Sequence, residues 1–201
     1  MLALTFDDGP YPVTTPLLLD RLRDLGVPAT FFVIGEDAQR YPELTRRMAQ
    51  DGNEVSNHTF THPDLERLSA ARIARELDVT RITVLPLTNE RAAAQRMRPP
   101  HGRYDEAAIR AIQAAGYDVV LWNDDPGDLR RVPPQVIATH IFAYATAPEI
   151  MLLHNGILPT IDLLSEIVPR YRAAGYRFVT VGELLRDVTP ARLNRPHRAP
   201  V

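Results

Sequence analysis

Along this chain apolar residues fall into two alternating patterns: short unbroken blocks, and longer stretches in which they recur every three or four positions. Leu2 to Phe6 is the first block, and Gly9-Pro10 ends it, the pattern of a buried strand running into a turn. Thr14-Thr15-Pro16 reads as a helix start with a hydroxyl N-cap, and Leu18, Leu19, Leu22 and Leu25 carry the helix to Gly26. Ala29 to Gly35 is a second strand, Pro42 to Gly52 a helix through Leu44 and Met48, and Glu54 to Asn57 a third strand. Ser69 is expected to cap a helix through Ile73, Leu77 and Ile82 that ends near Pro86, while Leu85 to Gln95 fits neither period. Beyond it the pattern predicts a helix over Glu106–Ala115, a strand over Asp118–Trp122 and a helix over Pro134–Ala145. A strand over Ile150–Leu153, a helix over Ile161–Ala174 and a last strand over Tyr176–Val181 follow.

Strict strand–helix alternation implies a mostly parallel sheet with crossover helices, buried on both faces. Polar residues capable of chemistry follow strand after strand: Asp7 and Asp8, His58, Arg98, Asp125 and Asp128, and His154. An open sheet gathers ligands at one switch point, whereas a closed barrel gathers the loops of all its strands at one rim. The expected fold is therefore α/β, an irregular (β/α) barrel with about seven βα units. Residues 1–187 are expected to form this one domain, and the proline- and arginine-rich residues 188–201 read as a tail.

Composition narrows the function classes. The 201 residues, 45% hydrophobic and 24% charged, suffice for one buried core. A net charge of −2 gives no basic footprint for nucleic acid. No segment approaches the roughly 18 consecutive apolar residues of a membrane span. Cysteine is absent, so a transition metal would have to be held by histidine and carboxylate. The chain opens almost directly on its first strand with no secretory leader pattern, and neither compartment nor oligomeric state is readable from it.

Asp7-Asp8-Gly9-Pro10 read alone is a turn, because Asp bonds its own backbone and Gly supplies positive φ. Strand alternation would point the two acids different ways, one to a metal and one to a proton. His58 and His62 stand four positions apart, a separation at which both can face one point in a helical turn. Two imidazoles and a carboxylate from the first strand would complete a three-ligand set that leaves a position for water.

Thr5–Pro10, His58–His62, Arg98-Pro99-Pro100-His101-Gly102, Trp122–Asp128 and Leu152-Leu153-His154 together resemble the five ordered motifs of the polysaccharide deacetylases. That is the NodB homology domain of carbohydrate esterase family four, and the resemblance spans about Leu2 to Leu185. It implies a NodB-like barrel in which Asp8, His58 and His62 bind a divalent metal, usually zinc, with cobalt or another divalent ion possible. Asp7 would be the general base, with Arg98 paired to it to hold it ionised. His154 would be the general acid, with Asp128 on its other ring nitrogen; Asp125 competes for that place. Leu152 would wall the acetyl pocket, Trp122 would flank the substrate, and a backbone N–H at His101 would help hold the oxyanion.

The resemblance implies removal of N-acetyl groups from an amino-sugar polymer or oligomer of the peptidoglycan or chitin type, and a secreted or cell-wall-associated setting. The same machinery could instead serve an O-acetylated xylan or a cyclic amide, and a degenerate member would bind glycan without turnover. Three positions depart from the family pattern: His101 replaces an aromatic Tyr or Phe, Leu129 replaces Trp, and Asn155 replaces Asp. If the order of the doublet were reversed, Asp7 would bind the metal and Asp8 would face away.

Overall fold

The computed structural model describes residues 1–88, 95–130, 133–143 and 147–187. The expected tail at 188–201, with His197, lies outside them. Six strands form one parallel sheet in the order β5-β4-β3-β2-β1-β6. They are β1 (Leu2–Asp7), β2 (Thr30–Val33), β3 (Glu54–Asn57), β4 (Arg96–Met97), β5 (Asp118–Val119) and β6 (Glu149–His154). Among the described residues eight α-helices accompany them: α1 (Thr14–Leu25), α2 (Gly35–Arg40), α3 (Pro42–Gln50), α4 (Ala70–Thr88), α5 (Glu106–Ala114), α6 (Pro134–Ala143), α7 (Leu158–Ala173) and α8 (Val181–Asp187).

The sheet curls until its edges meet. After β5 the chain crosses to β6, where the Asn123 N–H donates to the Ile150 carbonyl at 3.1 Å and the Leu152 N–H to the Asp124 carbonyl at 2.9 Å. The resulting parallel bridge, Asp124 to Met151, closes the irregular (β/α) barrel that the polar residues at successive strand ends imply.

Strand β1 shows how the sequence sorts itself. Leu2, Leu4 and Phe6 join Leu18, Leu19 and Leu22 of α1 and Leu164, Ile167 and Val168 of α7 in the main core. The alternate residue Ala3 packs instead with Phe32, Val120 and Val179. A period of two thus gives one face to the helices and the other to the barrel lumen. Such a narrow lumen favours small and polar residues at Ala3 and Thr5, and the row ends in Asp7.

Several elements differ from the sequence expectation, each for a local reason. The helix α2 has no apolar period to announce it, since Gly35–Arg40 reads Gly-Glu-Asp-Ala-Gln-Arg. The hydroxyls at Thr14-Thr15 do not cap α1; its N-cap is Val13, without a side-chain bond. Thr15 Oγ1 instead accepts from the Tyr11 N–H at 2.7 Å and donates to Asn155 Oδ1 at 3.0 Å. Pro86 does not end α4, which runs to Thr88, and residues 89–94 of the segment that fitted neither period lie outside the described residues.

Strand β5 stops at Val119 rather than Trp122 because the carbonyls of Val120 and Leu121 accept from the Arg98 guanidinium, each at 3.2 Å. The expected last strand at Tyr176–Val181 shrinks to one bridge between Phe178 and Leu2, and Val181 opens α8. Only the first residues of β1 are open on that flank, since β2 pairs with it from Thr5 onward.

Candidate active site

Register brings the chemistry to one level. Asp7 pairs with Phe32 and with His154, Val33 with Asn57, and Asn57 with Met97. The residues at or just beyond those strand ends, Asp7-Asp8, His58, Arg98 and His154, therefore share the C-terminal rim of the barrel. Asp7, Asp8, His58, His62 and His154 line a cleft of about 220 Å³ there. His101, Trp122, Asp128 and Leu152 line it too, so every residue proposed from the sequence except Arg98 faces the same space.

Arg98 lies beneath the cleft, fully buried in the lumen. Its Nη1 donates to Asp7 Oδ1 at 2.7 Å and to Thr5 Oγ1 at 2.8 Å, and its guanidinium lies 4.1 Å from the centre of the Phe32 ring. The guanidinium fork suits this site because it meets acceptors on several sides at once. Burial pushes the Asp7 carboxyl above the usual carboxylate range and the paired Arg98 opposes that shift without cancelling it. The expectation that Arg98 simply keeps Asp7 ionised thus captures one side of a balance in which desolvation is larger.

Two imidazoles and one carboxylate converge above this pair. Asp8, His58 and His62 each offer one ligand atom, all within 4.8 Å of one another. His62 Nε2 stands 3.2 Å from His58 Nε2 and 3.4 Å from Asp8 Oδ1, and His58 Nε2 stands 3.8 Å from Asp8 Oδ1. Donors about 2.0–2.1 Å from a tetrahedral zinc are separated by roughly 3.3–3.5 Å, so the spacing fits a transition metal with little adjustment. The tautomer fits as well: His58 Nδ1–H donates to the Arg98 carbonyl at 2.8 Å, leaving the Nε2 lone pair for a ligand. Burial lowers the pKa of His58 to about 3, so the ring stays neutral across the range in which it could bind a metal. Asp7 Oδ2 also lies 3.8 Å from His58 Nε2, but its other oxygen is committed to Arg98.

The loop carrying the histidines is not the expected helical turn. Thr59 and His62 have φ of 67° and 57°, and the other non-glycine residues with positive φ among the described residues are Asp8 (69°) and His101 (58°). All four sit in loops at the cleft, where sparsely populated backbone persists only because its surroundings hold it. Glu76 of α4 does much of that holding, since Oε2 accepts from the N–H groups of Phe60 at 2.9 Å and Thr61 at 2.8 Å. Gly9 is needed beside the doublet: φ is 73°, and a Cβ there would lie 2.6 Å from Asn155 Nδ2.

Across the cleft His154 Nδ1–H donates to Asp128 Oδ1 at 2.7 Å. Asp128 Oδ2 accepts from the His154 backbone N–H at 2.8 Å and from Thr160 Oγ1 at 3.0 Å. Burial acts to lower the His154 pKa, but Asp128 and the carboxylates Asp7 and Asp8 outweigh it, and the net direction is upward. Asp125 also faces the cleft, yet its Oδ1 accepts from the Gly127 N–H at 2.9 Å and makes no bond to His154. His140, given no role from the sequence, pairs with Asp124 at 2.9 Å.

Sequence reasoning gave no role to four supporting residues: Thr5, Asp64, Thr160 and Asn155, the last noted only as a departure from the family pattern. Asn155, fully buried, donates its backbone N–H to the Asp7 carbonyl at 3.0 Å and braces the doublet. Its place beside His154 was the available signal. Asp64 carried none, because its partners His101 and Arg103 are 37 and 39 positions away.

A parallel (β/α) barrel with a carboxylate–bis-imidazole cluster, a buried acid–arginine pair and an acid–histidine pair at one rim defines a hydrolase-type site. The polysaccharide deacetylase family model matches residues 1–120. A peptidoglycan-N-acetylglucosamine deacetylase of Bacillus cereus is 36% identical over 191 residues, 92% of this chain and 88% of that protein. A chitooligosaccharide deacetylase of Bradyrhizobium sp. is 36% identical over 195 residues, 90% of this chain and 89% of that protein. The structure of the peptidoglycan deacetylase PdaC from Bacillus subtilis superposes with a TM-score of 0.84 at 34% identity, covering 92% of this chain and 90% of that one. The chain belongs to the polysaccharide deacetylase family.

Proposed function

We propose that the protein hydrolyses N-acetyl groups of amino-sugar polymers or oligomers, of the peptidoglycan or chitin type, with a divalent metal, zinc on the character of its donors, held by Asp8, His58 and His62. The observation that carries this reading is the meeting of the Asp7–Arg98 pair, the three-ligand cluster and the Asp128–His154 pair in one cleft. The names of the relatives support the substrate class. Among the described residues no helix is long and apolar enough to cross a membrane.

A divalent metal supplies Lewis acidity, lowering the pKa of water and polarising a carbonyl. The chain's own residues do the proton work. Asp7, with Oδ1 fixed by Arg98, takes a proton from the water that adds to the acetyl carbonyl carbon, and its raised pKa makes it a better base than an ordinary carboxylate. His154, whose Nδ1–H is committed to Asp128, presents Nε2 to the cleft and delivers a proton to the departing amine nitrogen as the C–N bond breaks. The His101 backbone N–H is the first after Arg98 able to reach an oxyanion, because Pro99 and Pro100 have none. Leu152 and Trp122 shape the walls around the acetyl group and the sugar.

The test is acetate release from N-acetylglucosamine oligomers and peptidoglycan fragments by protein loaded with zinc or cobalt. Turnover that Asp7→Asn and His154→Ala each reduce by 10²-fold or more is expected, on the order of a lost acid or base. Absence of acetate release, or activity indifferent to both substitutions, sinks the reading. An ester leaving group needs less protonation, so if O-acetylated xylan proves the better substrate, His154→Ala should cost little on it.

A further inference from the structure

His58 and His62 are held in place by different means. The His58 ring is oriented from behind, its Nδ1–H donating to the Arg98 carbonyl at 2.8 Å. A metal-binding imidazole ordinarily has such an outer partner, which fixes its tautomer and direction. Among the described residues His62 Nδ1 makes no hydrogen bond, and the residue itself, half-buried, sits at φ 57° in the loop after β3. What meets its ring is another imidazole: His101 stands edge-on to it, with centroids 4.6 Å apart and planes at 74°.

His101 is locked in turn. Its Nδ1–H donates to Asp64 Oδ1 at 2.9 Å, and Asp64 Oδ2 accepts from Arg103 Nη1 at 3.3 Å. Asp64 lies two residues beyond His62 and is itself three-quarters or more buried, while His101 and Arg103 flank Gly102, whose lack of a Cβ leaves room for Trp122. The loop after β3 and the loop after β4 are therefore tied together across the rim, with His62 enclosed by the tie. A tyrosine or phenylalanine at position 101 could supply the ring edge but has no Nδ1–H to donate to a carboxylate.

We propose that Asp64 and His101 form a latch that positions His62 for metal binding, replacing the outer hydrogen bond that this ligand lacks. His101 is a positioning residue in this role, acting through His62. The inference rests on the metal site proposed above and concerns the strength with which that site holds its ion. Loss of an outer partner of a metal ligand typically weakens binding about 10–100-fold.

The experiment measures zinc affinity of the full chain by competition with a chromophoric chelator, with cobalt as a second probe. His101→Ala and Asp64→Ala are each expected to weaken zinc binding about tenfold. Because they break one linkage, the double variant should be no weaker than either alone. Asp64→Asn keeps an oxygen to accept from His101 and should restore most of the affinity, and excess zinc should return turnover of Asp64→Ala toward the unsubstituted level. A merely structural defect would not be cured by metal. His62→Ala is the control and should abolish tight binding. If it does so while His101→Ala and Asp64→Ala stay within twofold of the original affinity, or if their effects simply add, the latch is wrong and the metal site stands. If His62→Ala leaves affinity unchanged, the site reading fails and the latch with it.

Discussion

Arg98 and Asp128 each pair with a titratable group on the cleft, yet they are held in opposite ways. Arg98 leaves the end of β4, enters the lumen with no solvent exposure, and spends its guanidinium on Asp7, Thr5 and the carbonyls of Val120 and Leu121. Asp128 is also buried, but it sits in the irregular stretch between β5 and α6, beside the exposed Leu129, and is held by hydrogen bonds from His154 and Thr160 rather than by packing in the lumen. One side of the site doubles as barrel core, whereas the other is fastened onto a finished barrel. Stability and catalysis should therefore be inseparable on the Asp7 side and separable on the His154 side.

The largest effect is expected from Arg98→Met. It removes the partner of a buried carboxylate and orphans two carbonyls, so the protein should lose roughly 3–5 kcal/mol as well as its activity, read by urea unfolding. A variant as stable as the original would break the comparison. Asp128→Asn should instead unfold at nearly the same denaturant concentration but lower kcat by about 10²–10⁴-fold, because the amide no longer fixes the imidazole tautomer or supports its charge. Equal losses of stability in the two variants would erase the distinction.

The pH profile sharpens it further. On the proposed mechanism activity needs Asp7 ionised, and burial raises its pKa, so the acid limb of kcat/KM should lie above the range of an ordinary carboxylate. It also needs His154 protonated, and its pKa is raised, so the alkaline limb should lie above that of a free imidazole. Asp128→Asn should move the alkaline limb down and leave the acid limb in place.

His58 makes a smaller, stability-only prediction. Unfolded, it binds a proton near 6.5, but folded only near 3, so the unfolded state holds more protons between those values. The metal-free protein should lose stability as pH falls through that interval, and Tm measured against pH should show a shallower slope in His58→Gln. The smallest expected change is in Leu129→Trp, which restores an aromatic wall at an exposed position: a two- to tenfold lower KM for oligomers, about 0.5–1.5 kcal/mol, with kcat and stability unaltered.

Much of this architecture is written locally. The apolar blocks and the helices between them could be located because burial on both faces of a parallel strand demands an uninterrupted run. Gly26 marks the end of α1 by taking φ of 62°, which glycine adopts at little cost. The short elements were hidden for the converse reason. A two-residue strand such as Arg96–Met97 has no period to detect, and α2 carries no apolar stripe. The end of β5 was misplaced because a side chain 22 positions away, that of Arg98, takes the carbonyl of Val120.

The sequence by itself determined which residue types stand at the strand ends, and with them the donor set, the acid and base candidates and the family to which they point. Only the tertiary structure shows which partner each of them meets. Asp7 and Asp8 are neighbours of the same type, and nothing local separates them. The lumen gives the first to Arg98, and a positive φ turns the second toward His58 and His62. Asp128 rather than Asp125 meets His154, and Asp64 meets His101, because barrel closure brings distant loops to one rim. Contacts of that kind depend on closing long segments of chain, whose cost is met by the whole core and leaves no mark in the residues nearby.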